Sequence, residues 1–68
     1  MKLSARNVLK GKVSEVVRGP TTTRVKIQLE GGGVVTSSIT TEAADDLQLK
    51  AGDMVSAIIK ASDVMIGK

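Results

Sequence analysis

Arg24-Val25-Lys26-Ile27-Gln28-Leu29-Glu30, closed by Gly31-Gly32-Gly33 and followed by Val34-Val35-Thr36-Ser37-Ser38-Ile39, decides the fold class. Val25, Ile27 and Leu29 alternate with Arg24, Lys26, Gln28 and Glu30, so the apolar set falls on one face of a half-buried strand. The glycine triplet supplies a turn, and the β-branched run after it returns as the second arm of a hairpin. A phosphate-cradling glycine loop would need a following helix opened by Lys and Ser or Thr, and no such segment follows.

Upstream, Val8-Leu9-Lys10-Gly11-Lys12-Val13-Ser14-Glu15-Val16-Val17 is rich in β-branched residues and lacks a helical period, which predicts a long, bent first strand. Within it Gly11 marks a bulge or a close backbone approach. Arg18-Gly19-Pro20-Thr21 is the turn into the second strand. Downstream, Thr40-Thr41-Glu42-Ala43-Ala44-Asp45-Asp46-Leu47 is the one helical segment, with a Thr for the N-cap and acidic residues suited to the helix start. Leu49-Lys50-Ala51-Gly52-Asp53 turns into a fourth strand from Met54 to Ile59, and Asp63-Val64-Met65-Ile66 is expected as a short fifth. The order predicts an all-β fold: a five-stranded OB-like Greek-key barrel with one short helix between strands 3 and 4. Residues 1–68 are expected to form a single domain.

Nine Val, five Ile, five Leu, six Ala and three Met must build the core, because the 68 residues include no aromatic side chain. A chain this short usually depends on disulfides, a metal or oligomerisation. It has no Cys and no His, so the usual thiolate and imidazole ligands are missing, and subunits that share a core are expected. The lack of Cys suits a reducing cytoplasm. No signal-peptide pattern opens the sequence, and its longest apolar runs fall short of a membrane span. These readings suit a cytoplasmic protein away from membranes, without proving that location. Ten Lys and Arg against seven Asp and Glu give +3, but the basic residues are scattered, a pattern of ordinary solubility.

The same composition argues against an enzyme, since there is neither a His for acid–base work nor a Cys nucleophile. Asp45 and Asp46 are adjacent on the helix, so their carboxylates diverge. Nucleic-acid binding is the alternative reading for an OB-type module. Single strands are usually held by bases stacked on aromatic rings, which are absent here; an electrostatic mode through Arg18, Arg24 and Lys26 stays as the second reading.

Two short stretches concentrate the remaining chemistry: Ser4-Ala5-Arg6-Asn7 and Lys60-Ala61-Ser62. If both are extended, Ser4 and Arg6 share a face, and so do Lys60 and Ser62. Each pair sets a cation beside a hydroxyl without a carboxylate, a donor set matched to a small tetrahedral oxyanion. Backbone N–H groups at Ala61, Ser62 or the helix start after Thr40 extend that set. Four donors at about 1.5–3 kcal/mol per charge-assisted bond would support micromolar binding, about −8 kcal/mol. On spacing alone, the commoner outcome is that Arg6 and Lys60 are solvated surface charges and the serines turn formers.

Ser4-Ala5-Arg6-Asn7 with Leu9-Lys10-Gly11-Lys12-Val13, together with Ile59-Lys60-Ala61-Ser62-Asp63-Val64-Met65-Ile66, closely resembles the molybdenum-pterin-binding protein family, the molbindins. Leu47 to Val55 is similar to the family's Leu-x-Leu-x-x-Gly-Asp-x-Val turn. The resemblance implies a small OB-like barrel assembled as a homo-hexamer, a trimer of dimers. It implies molybdate or tungstate as the bound oxyanion, held at subunit interfaces, in cytoplasmic storage or homeostasis of molybdenum, with no catalytic cofactor. Carried over by motif, the oxyanion site falls on Ser4, Arg6, Lys60, Ala61 and Ser62, with Thr40 joining from across a subunit seam. Ala43 departs from relatives that carry a Ser there, which leaves only its backbone N–H to serve. Pro20 is also unusual for the family.

Overall fold

The computed structural model describes Ser4 and residues 6–68. Four strands and one helix follow in the order β1 (Asn7–Arg18), β2 (Thr22–Leu29), β3 (Val34–Thr40), α1 (Thr41–Asp46) and β4 (Met54–Ile59). The strands form one antiparallel sheet in the order β3-β2-β1-β4. Three hairpin-linked strands with a fourth returning beside the first is Greek-key topology. The sheet curls into an OB-like half-barrel with α1 between its third and fourth strands, the all-β class that the sequence pattern predicts.

The expected fifth strand is the difference. Ala61–Asp63 is a single turn of 3-10 helix, and no strand follows among the described residues. A strand exists only by pairing, and in one chain Asp63-Val64-Met65-Ile66 has no partner. Met65 and Ile66 are 93% and 90% exposed, so this apolar tip buries nothing within its own chain.

β1 carries its irregularity at Ser14, and of the two readings offered for Gly11, bulge or close approach, the structure shows the second. The register with β2 shifts between Val13 and Glu15, making Ser14 the extra residue of a bulge. The shift turns Val13 and Val16, three positions apart, onto the core side, and leaves Val17 outside. Gly11 is instead the close approach: a Cβ there would lie 2.5 Å from the Gln28 carbonyl oxygen and 2.7 Å from Ile27 Cγ2. In the β2–β3 hairpin, Gly32 and Gly33 take φ of 96° and 91°, the left-handed region that glycine enters without a Cβ penalty.

Val13, Val25, Ile27 and Ala57 are the buried centre, packed by Val16, Leu29, Val35, Ile39, Leu49 and Val55. The alternation read in β2 therefore points Val25 and Ile27 inward as expected. Thr23, one step earlier on the same face, is fully buried too. The loop before β4 is hooked to β1: Val13 N–H donates to the Asp53 carbonyl, and Gly52 N–H donates to the Val13 carbonyl, both at 2.8 Å.

Candidate functional site

The β1–β4 ladder brings the two chemistry-bearing stretches together. Its last pair is Asn7 with Ile59, and the Asn7 side-chain amide donates to the Ile59 carbonyl at 3.1 Å. Arg6 is the residue before that pair on one strand and Lys60 the residue after it on the other, so the end of the ladder brings both toward the same end of the sheet. In the first half of β1, Lys10 and Lys12 are exposed while Gly11 and Val13 are buried, and Arg6 and Lys60 are exposed as well. Two cations thus share one corner of the sheet.

The serines do not follow the simple two-residue repeat. The chain bends at Ser4 and at Arg6, before β1 begins, and Ala5 between them lies outside the described residues. On the other side, Lys60 is extended, with φ −65° and ψ 137°, but Ala61–Asp63 winds into 3-10 helix. At three residues per turn, Ser62 does not point the way Lys60 does, so the extended pairing of Lys60 with Ser62 is corrected. The turn has a different use. Asp63 and Val64 close it by donating to the Lys60 and Ala61 carbonyls at 2.8 Å and 3.2 Å. Ala61 and Ser62 open this turn directly after Lys60.

Thr40 lies elsewhere. It pairs with Thr22 at the far end of β3, beside the β1–β2 turn. β1 separates that end from Arg6 by 12 residues, about 40 Å at the rise of a straight strand and less along this bent one. Thr40 is the N-cap of α1, and its hydroxyl accepts the Ala43 N–H at 3.1 Å. That bond occupies the Ala43 N–H, the group expected to serve an anion. It leaves the hydroxyl hydrogen of Thr40 to donate elsewhere.

Sequence reasoning missed the electrostatics around Thr40. The open groove that it lines also contains Glu42, Asp45 and Asp46, with Arg18 the only cation lining it, and Arg18 is ion-paired with Asp45. The signal was present in Glu42, Asp45 and Asp46 of the helical segment, but these read as solvated helix charges until the tertiary fold sets them beside the turn. Within one chain this groove repels anions. The corner of Arg6 and Lys60 has the opposite sign. Among the described residues there is no cluster of three or more His, Cys, Asp or Glu placed to hold a metal ion, and no helix long and apolar enough to cross a membrane.

Comparison with known proteins bears on the whole of this geometry. The TOBE domain family matches residues 3–66. This chain is a TOBE domain and belongs to the molybdenum-pterin-binding protein family. It is 47% identical over 66 residues to molybdenum-pterin-binding protein 3 of Clostridium pasteurianum, covering 97% of each chain. Its fold superposes on a molybdate-binding protein from Sporomusa ovata with a TM-score of 0.93, at 34% identity over 100% of both chains. It also superposes on the cytoplasmic molybdate-binding protein ModG in a molybdate-bound form, with a TM-score of 0.90 and 45% identity. There it covers 96% of this chain and 46% of the other, so the TOBE domain spans about half of that longer protein.

Proposed function

We propose that this TOBE domain, a single domain over residues 1–68, binds molybdate or tungstate as a free tetrahedral dianion, in storage or homeostasis of molybdenum in the cytoplasm, and is not an enzyme. The observation that carries the proposal is the β1–β4 register, which ends at Asn7 and Ile59, the residues that adjoin Arg6 and Lys60. Arg6 offers a planar fork to two oxygens, and Lys60 a compact charge. Ser4, Ser62 and the N–H groups of Ala61 and Ser62 complete a shell made of donors, which suits a ligand whose oxygens only accept.

Thr40 is proposed to join this shell from a neighbouring subunit. Two facts support a shared site. Thr40 lies at the Arg18 end of β1 and Arg6 precedes its other end, with the length of that strand between them. The acidic groove beside Thr40 becomes compatible with an anion only when cations from elsewhere enter it. The exposed apolar tip at Val64, Met65 and Ile66 and the exposed Met54 and Ile58 of β4 favour self-association, and the homo-hexamer of three dimers is the assembly proposed.

Calorimetric titration of the assembled protein with molybdate tests the reading. Saturable binding in the micromolar range is expected, with tungstate competing for the same sites. An intact oligomer that takes up no molybdate overturns it.

A further inference from the structure

We infer that Thr41 is a positioning residue for the Thr40 part of the oxyanion site, acting through its buried hydroxyl; the inference rests on the functional reading above. Thr40 and Thr41 are neighbours where β3 ends and α1 begins, and they face opposite ways. Thr40 is exposed, whereas Thr41 is 8% exposed. The Thr41 hydroxyl donates to the Gly19 carbonyl at 2.7 Å. A carbonyl only accepts, so the single hydrogen of Thr41 is used there. The 2.8 Å contact between the Thr23 and Thr41 hydroxyls therefore runs from Thr23 as donor to Thr41 as acceptor. The backbone N–H of Thr41 donates to the Thr21 carbonyl at 2.9 Å.

One residue thus grips two carbonyls of the β1–β2 turn and a fully buried hydroxyl of β2. That grip fixes the backbone at the position where β3 turns into α1, and with it the direction of the preceding side chain. Thr40 itself is held by its ladder pairing with Thr22 and by an exposed side-chain bond. Its hydroxyl oxygen holds the Ala43 N–H, and its hydroxyl hydrogen is the one that faces an anion. The other side-chain tie between turn and helix is the Arg18–Asp45 pair, whose side chains are 62% and 53% exposed, and exposed pairs of this kind hold geometry weakly. Thr41 supplies the buried part of the hold that aims the Thr40 hydroxyl.

The test is molybdate titration of the assembled protein, with sedimentation to confirm the assembly of each variant. Thr41→Val is expected to lower affinity about tenfold, the worth of one misdirected hydrogen bond, and Thr41→Ser to stay within about twofold because it keeps the hydroxyl. In a Thr40→Ala background, Thr41→Val is expected to change nothing further, since the group it aims is gone. Wild-type affinity in Thr41→Val, or an equal loss with and without Thr40, overturns the inference alone. Wild-type affinity in Thr40→Ala overturns the placement of Thr40 in the site, and the inference with it. If Thr41→Val fails to assemble, Thr23→Val takes its place: it removes the donor to Thr41, spares the bond to Gly19, and is expected to lower affinity only when Thr40 is present.

Discussion

Thr23 and Thr41 share a hydrogen bond of 2.8 Å in the interior, and its hydrogen belongs to Thr23, because Thr41 spends its own on the Gly19 carbonyl. The chain of donors fixes an order of cost. Thr41→Val strands both the Thr23 hydroxyl and the Gly19 carbonyl, whereas Thr23→Val strands only one lone pair of Thr41. At about 1–3 kcal/mol per buried group left unpaired, Thr41→Val is expected to destabilise clearly more than Thr23→Val. Urea unfolding of the two variants at equal protein concentration checks it, and the reverse order would mean that the donor assignment is wrong.

Gly11 has no room for a side chain. A Cβ would meet the Gln28 backbone at 2.5 Å, and neither partner is a flexible side-chain end that can swing away. Gly11→Ala is expected to cost about 2–3 kcal/mol by forcing β1 and β2 apart. A melting temperature equal to that of the wild type would refute it.

Gln48 is the one non-glycine residue with positive φ among the described residues, at 52°. It follows the C-cap Leu47 of α1, and the bonds from Gln48 N–H to Asp45 and from Leu49 N–H to Ala44 form a Schellman motif, whose left-handed position favours glycine. Gln48→Gly is expected to stabilise the fold by about 0.5–1 kcal/mol, read as a raised denaturation midpoint with the oligomer unchanged.

If Arg6 grips the anion with both arms of its fork, retaining its charge is not enough. Arg6→Lys is expected to weaken molybdate binding about tenfold, and Arg6→Ala further, each by loss of charge-assisted bonds. Calorimetry on variants shown to assemble makes the measurement; undiminished affinity in Arg6→Ala removes it from the site.

The apolar tip predicts self-association. With Met65 and Ile66 about as exposed as side chains can be, the double change Met65→Asp and Ile66→Asp is expected to shift sedimentation at micromolar concentration toward smaller species. The wild type should sediment well above its 7.1 kDa chain mass. A stable wild-type monomer would end both this prediction and the shared site.

The sequence by itself determined the features that depend on near neighbours. The alternation of Val25, Ile27 and Leu29 specified β2 and its core face, because a strand repeats every two residues wherever it lies. Thr40 read as an N-cap and the glycine triplet as a turn, since capping and positive φ are local chemistry. Arg6 and Lys60 could be named by residue type and resemblance, but 54 positions of sequence separate them; only the antiparallel β1–β4 register brings their neighbours Asn7 and Ile59 together. The buried hydroxyls of Thr23 and Thr41 carried no local signal at all, because Thr suits an exposed strand equally well and its burial is fixed by what packs above it. The acidic groove at Thr40 and the missing fifth strand belong to the same class. Each depends on which distant segment, or which other chain, comes to lie alongside, and that is decided by three-dimensional packing rather than by any window of sequence.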